Sequence, residues 1–202
     1  MRGPNESQFQ GAIATILTQA QGCGSVTQDT DLSRAFVEFL DAAKITVVID
    51  LNYDRTVEQI LECEGIPYWR TIGSEGVVDA PFVDGRAKLL WKVHGSVDEP
   101  PTIVLSPTEY QRIYETNALG PQLQRLGKRL GMLWSVGAGL IDDDIWAYLC
   151  SGDSPSRVVA LWMSNDEHES LRPWLSLVFG PKRETTVIAA PLPTADQGRM
   201  SD

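Results

Sequence analysis

The sequence predicts an α/β fold in which a mostly parallel sheet is flanked by helices. Short apolar runs alternate along the chain with stretches of helical periodicity, the pattern that builds parallel sheets with helical crossovers. Two of those runs, Ile45–Ile49 and Leu89–Trp91, each lead into a compact polar turn, Asn52-Tyr53-Asp54 and Lys92-Val93-His94-Gly95. Open α/β sheets place their ligand chemistry beyond the carboxyl ends of such strands.

In chain order, Asn5 is placed to cap a first helix whose apolar face carries Phe9, Ile13, Ile16 and Leu17. A loop at Gly22-Cys23-Gly24-Ser25 leads to a second helix from Asp31 with Phe36, Phe39 and Leu40 on one face. Strand 45–49 follows, then the Asn-Tyr-Asp turn and a helix from Arg55 to Cys63 that stops at Gly65. Pro67–Ile72 alternates like a short strand, 73–85 reads as an acidic loop, and strand Ala87–Val93 delivers His94. Thr102–Leu105 reads as a further strand. Ser106-Pro107-Thr108-Glu109 combines a capping serine, a proline at the first helical position and a glutamate able to close a capping box. That helix is expected to stop near Gly120-Pro121, and the next carries Leu123, Leu126 and Leu130. Met132–Val136 is a strand ending at Gly137-Ala138-Gly139-Leu140, and Asp142–Asp144 precede a helix with Ile145, Trp146 and Leu149. Val158–Trp162, a helix from Ser164 capped through Glu167, and a last strand Thr185–Ala189 complete the pattern.

A length of 202 residues fits one domain, read here as 1–190, large enough to bury roughly 70 % of its unfolded-chain surface. The polar, aperiodic tail 191–202 reads as disordered. With 43 % apolar and 22 % charged residues the composition is that of an ordinary globular protein. No run approaches the roughly 20 apolar residues of a membrane span, and the N-terminus lacks a signal-peptide core, so a cytoplasmic location is expected. Cys23, Cys63 and Cys150 are odd in number and far apart, which fits neither a disulfide framework nor a zinc site. The net charge of −10 and the lack of a basic stripe argue against nucleic-acid binding. Arg125-Leu126-Gly127-Lys128-Arg129 reads as the wet face of a helix.

Three strand ends carry residues able to do chemistry: Asn52 to Asp54, His94 to Gly95, and Gly137 to Leu140. An asparagine amide can hold a sugar hydroxyl or orient a water. A histidine, with an ordinary pKa of about 6.5, can accept a proton near neutrality. Glycines let a ligand approach the backbone closely. Each also has a structural reading. Asn52 and Asp54 suit a helix cap, His94 a hydrogen-bonded core position, and Gly137 and Gly139 a tight connection. Asp142–Asp144 suit a solvated helix start rather than a metal site.

The order of motifs is more specific than any one of them. Asn-Tyr-Asp after a Val-rich strand, Lys-x-His-Gly leading through Ser106–Tyr110, then Gly-x-Gly-Leu-x-Asp-x-Asp-Ile resembles the sirtuin-like NAD-consuming domain of bacterial antiphage-defence proteins. The resemblance covers about Ile45 to Leu149. It implies a Rossmann-like three-layer domain that binds NAD+ as substrate and cleaves the nicotinamide–ribose bond, with no metal. By position, Asn52 matches the asparagine that places the ribose or the attacking water, and His94 the general base. Tyr53, Asp54, Gly95, Gly137 and Gly139 fall in the NAD-binding turns. The chemistry is coherent, because a pyridinium leaves as neutral nicotinamide through an oxocarbenium-like state, as in glycoside cleavage generally.

Deacylases of the family carry a four-cysteine zinc module after the histidine turn, whereas Gly95–Val136 here contains no cysteine, which ranks NAD+ hydrolysis above deacylation. The family's Gly-Ala-Gly-x-Ser phosphate turn has no clear counterpart in the 51 residues before Asn52, Asp50-Leu51 replaces a usual threonine pair, and Gly139 stands where serine is usual. Gly22–Ser25 follows a helix-like segment rather than a strand. The alternative is therefore a degenerate or truncated sirtuin-like module that binds a nucleotide or a protein without catalysis. Implied partners are NAD or an NAD-derived ligand, a second copy of the chain, or a defence-system protein; neither nucleic acid nor membrane is expected.

Overall fold

The computed structural model describes residues 4–22, 30–73, 87–116, 119–136, 143–152, 157–162 and 184–189. The chain falls into two compact units, Met1–Leu119 and Gly120–Asp202. Each holds a three-stranded sheet whose strand pairs are all parallel. The architecture is α/β and Rossmann-like, as the alternation of apolar runs and helical stretches predicts.

In the first unit, helices α1 (Pro4–Gly22) and α2 (Thr30–Ala42) precede strand β1 (Val47–Asp50). Helix α3 (Thr56–Cys63) then leads to β2 (Tyr68–Ile72), and β3 (Lys88–Lys92) inserts between the two strands in the order β1-β3-β2. Asp50 and Ile72 both pair with Lys92, so the three strands end together at one carboxyl edge. Central β3 is buried at every position, which is why its apolar residues run continuously instead of alternating. Its end lysines are matched by carboxylates, Lys88 to Asp41 at 2.9 Å and Lys92 to Asp50 at 2.8 Å. Helix α3 stops at left-handed Gly65 (φ +66°), with the Ile66 N–H donating to Leu61 O at 2.8 Å. This Schellman-type ending turns the chain into β2.

Helix α1 begins at Pro4, so Asn5 lies inside it rather than capping it. Among its described side chains Gln10 and Ala14 are buried, while Ile16, expected on the apolar face, is 60 % exposed. The helix is rotated so that Ala14 packs with Val97 and Ile103, and Gln10 donates to the Ile103 carbonyl at 2.7 Å. The expected strand Thr102–Leu105 is not formed. Pro100–Thr102 makes one 3-10 turn, and 103–105 join no sheet. Ile103 and Val104 are core residues, 0 % and 3 % exposed, and their backbone groups are satisfied one by one. Val104 O accepts from the Tyr53 hydroxyl at 2.6 Å, Val104 N–H donates to His94 O at 3.0 Å, and Leu105 N–H donates to the Glu109 carboxylate at 3.0 Å.

Helix α4 (Pro107–Gln111) starts with the expected capping box, Ser106 Oγ accepting from Glu109 N–H while the Glu109 carboxylate accepts from Ser106 N–H. It widens into one π-helical turn, Arg112–Thr116. Gly120-Pro121, expected to end this helix, instead sits in the first turn of α5 (Leu119–Gly127), where proline's missing N–H costs nothing.

In the second unit, Leu123 and Leu126 of α5 are buried as their helical spacing requires, and Arg125, Lys128 and Arg129 are exposed as read from the sequence. Leu130 lies beyond the helix end. Strand β4 (Met132–Val136), helix α6 (Asp143–Leu149), β5 (Arg157–Trp162) and β6 (Glu184–Ala189) give a sheet of order β4-β5-β6. Gly127 lies so close to the Leu149 backbone that a Cβ would stand 2.8 Å from the Leu149 carbonyl carbon, fixing α5 against α6. The expected helix from Ser164 and the tail 191–202 lie outside the described residues. Among the described residues no helix is long and apolar enough to cross a membrane.

Candidate functional site

Beyond the carboxyl edge of the first sheet, the turn after β1 and the turn after β3 stand side by side. The Asn52 turn is closed locally by carboxylates. Asp50 Oδ1 accepts from Asn52 N–H at 2.9 Å, and Asp54 Oδ1 accepts from Thr56 N–H at 2.8 Å. Asp54 thus closes the turn that leads into α3, whose N-cap is Arg55, and the Asn52 side chain does not cap the helix. The Asn52 side chain is exposed and makes no hydrogen bond among the described residues. An amide held at a turn tip with its polar atoms uncommitted is available to a ligand.

His94 sits at the opposite extreme, 2 % exposed. Its Nε2 lies 2.9 Å from the Tyr114 hydroxyl, its Nδ1 3.5 Å from the Tyr110 hydroxyl, and the Tyr110 ring meets it edge-on at 4.8 Å. Gly95 follows with φ +100°, and a Cβ there would stand 2.6 Å from Ile103 N. Only glycine lets the chain after His94 press against the Thr102–Ile103 backbone.

The two turns are joined by hydrogen bonds rather than merely adjacent. Tyr53 O accepts from Val97 N–H at 2.8 Å, and the Tyr53 hydroxyl donates to Val104 O, whose own N–H donates to His94 O. Tyr53 therefore acts here as a strut. From beneath, Lys92 Nζ donates to both Asp50 Oδ2 and the Asp54 carbonyl, so one fully buried ammonium holds both ends of the Asn52 turn.

Lys92 also belongs to an ion network that the sequence reading missed. Glu58 of α3, 0 % exposed, lies 3.6 Å from Lys92 and 3.6 Å from Arg70; Arg70 in turn pairs with Asp98 at 2.6 Å and Glu99 at 2.5 Å. Burial raises the Glu58 pKa above its ordinary range, and the nearby Lys92 only partly offsets this. For Asp98, burial also pushes upward, but hydrogen bonds from Arg70 and Ser96 outweigh it and hold the carboxyl below its ordinary value. The signal available in sequence was thin. Lys92 stands inside the Lys-Val-His-Gly motif and Tyr114 follows Tyr110 by four residues, but nothing local marks Glu58 or Arg70 as buried partners.

Of the residues singled out from sequence, the fold brings Asn52, Tyr53, Asp54, His94 and Gly95 to one edge. Gly137 and Gly139 lie outside the described residues, as does Asp142. Strand β4, which leads toward them, belongs to the second sheet. Among the described residues no cluster of three or more His, Cys, Asp or Glu side chains has metal-binding geometry. Cys63 is an exposed cysteine and Cys150 a buried one. A cleft between α1 and the loop after His94, lined by Gly11, Ala14, Thr15, Thr18, Val97 and Pro100, holds no titratable side chain.

No curated protein matches the chain. A family model described as a SIR2-like domain matches residues 46–174, a span that contains both turns and nearly two thirds of the sequence. Members of that family use NAD+ as a substrate. The protein therefore belongs to the SIR2-like domain family.

Proposed function

We propose that this chain is a sirtuin-like NAD+ glycohydrolase that releases nicotinamide, with Asn52 and His94 as its catalytic residues. The observation that carries this reading is the coupling of the two turns through Tyr53, Val104 and His94 O. An exposed amide and a buried imidazole, far apart in sequence, are thereby held at one sheet edge where α/β folds bind nucleotides. The NAD+ glycosidic bond supplies most of the driving force itself, since nicotinamide leaves as a neutral ring. What remains for the protein is to place the ribose, exclude loose water and orient one nucleophile. Asn52 places the ribose or the water. His94 accepts the proton, and Gly95 lets the backbone approach. Tyr53 and Asp54 form the wall of the same turn, and Gly137 and Gly139 are assigned to the nucleotide side by motif position alone. A cytoplasmic setting and a role in antiphage defence belong to the same proposal, as does a second copy or a defence-system partner.

Replacing Asn52 by alanine tests the assignment cleanly, because its side chain caps nothing. N52A is expected to lower nicotinamide release by about 100-fold with an unchanged melting temperature. Release at the wild-type rate contradicts the assignment.

One observation favours a second reading. The His94 ring is enclosed, with a tyrosine hydroxyl near each nitrogen. In a non-catalytic module that keeps the fold and binds NAD or a protein, such an imidazole serves only the core. NAD+ binding without nicotinamide release, by a folded protein, supports that reading over the first.

A further inference from the structure

We infer that Tyr114 is a positioning residue for His94, donating its hydroxyl hydrogen to Nε2 and thereby holding the imidazole as the Nδ1–H tautomer. The inference rests on the proposal that His94 is the base, and it deepens that proposal by assigning which nitrogen is basic and what holds it so.

The geometry carries it. The Tyr114 hydroxyl and His94 Nε2 are 2.9 Å apart, and both residues are 2 % exposed, so no bulk water competes for either atom. Of the two ways to share one hydrogen, O–H to N is the stronger. A phenol is a good donor and a poor acceptor, because its oxygen lone pair is drawn into the ring, whereas the unprotonated imidazole nitrogen is the best neutral acceptor among side chains. The proton on the imidazole is then at Nδ1, on the side of the Tyr110 hydroxyl, whose 3.5 Å separation is at the limit of a hydrogen bond. The Tyr110 ring packs against both partners, edge-on to the imidazole at 4.8 Å and stacked with Tyr114 at 6.3 Å.

The backbone explains how two tyrosines reach one histidine. Tyr110 and Tyr114 are four residues apart, and the chain passes between them from α4 into the π-helical turn Arg112–Thr116. A π turn shifts the side chains after it relative to a regular helix, and such turns recur at functional sites. The capping box at Ser106 fixes the start of this helix, and Glu109, 6 % exposed, ties it to the segment that hydrogen-bonds His94 O. The tyrosines are thus registered to the histidine from both ends of the loop. In this arrangement the Tyr114 hydroxyl occupies the place at Nε2 that a ribose hydroxyl or a water must take when it gives up its proton. Tyr114 presents a neutral, correctly oriented base and must swing aside as the substrate arrives.

The test uses the whole chain carrying H168Q, which leaves His94 as the single histidine, labelled with 15N. Long-range 1H–15N spectra at neutral pH read the tautomer directly. The expected result is a single Nδ1–H pattern in the parent. Y114F is expected to lose it in favour of the Nε2–H form that free histidine prefers in water, and Y110F to retain it. An Nε2–H pattern in the parent, or a tautomer unchanged by Y114F, overturns the inference. Phenylalanine is isosteric, and an unchanged melting temperature shows that Y114F still folds. The spectra need no activity, so a parent that shows the Nδ1–H pattern and releases no nicotinamide refutes the NAD+ glycohydrolase proposal while leaving the Tyr114–His94 tautomer assignment standing.

Discussion

Two single residues set conditions that local sequence only half reveals. Gly95 was legible as a turn glycine beside His94, but its requirement comes from a segment seven residues downstream, which presses against the place a Cβ would fill. G95A is expected to cost at least about 2 kcal/mol, measured by urea unfolding; a cost within 0.5 kcal/mol, roughly that of a surface change, contradicts the close approach. Glu58 was not legible at all, because a glutamate in the first turn of an amphipathic helix ordinarily faces water. Here it is fully buried and its pKa is raised by that burial. A carboxyl whose folded pKa lies above the unfolded one binds its proton more tightly in the fold. Its contribution is therefore present at low pH and lost as pH rises from the ordinary 4.5 through the raised value. Asp98 works in the opposite direction, with stability lost as pH falls below its ordinary 3.8, so the two windows do not overlap. E58Q is expected to remove the decline in stability on the high-pH side of 4.5 while leaving the acid limb in place. Parallel curves for the two proteins in denaturant titrations across pH contradict this.

At the scale of elements, capping chemistry was the most readable signal. Ser106, Pro107 and Glu109 form the box their spacing predicts, and Glu109 goes further by accepting Leu105 N–H. S106A is expected to cost about 1 kcal/mol in thermal or urea unfolding, and a neutral effect contradicts the cap seen at Glu109 N–H. The apolar run Thr102–Leu105 misled, because hydrophobicity alone does not separate a buried strand from a buried loop. What decides is whether a neighbouring backbone supplies partners, and here the Tyr53 hydroxyl, the Gln10 amide and the His94 carbonyl do so instead. Helix α1 misled for a related reason. Gln10 is drawn into the core by the Ile103 carbonyl, which leaves Ile16 outward, and a polar residue with a specific buried partner is invisible to a hydrophobic pattern. Strand β3 read correctly because a central parallel strand is continuous in sequence as well as in burial.

At the scale of the whole molecule, the alternation of strands and helices gave the α/β class, and the order of three weak motifs gave the SIR2-like family that the match over 46–174 bears out. The candidate site was legible as far as the two turns that carry Asn52, His94 and Gly95. What converts them from separate turns into one arrangement was not, since the Lys92 clamp, the Tyr53 strut and the Tyr110–Tyr114 pair are contacts across the fold. Release of nicotinamide from NAD+ by purified wild-type protein, with H94A measured beside it at equal folded concentration, tests the central claim most directly. The account predicts release by the wild type and a loss of about 100-fold or more in H94A. Equal release by both proteins, or none from a folded wild type that binds NAD+, contradicts it.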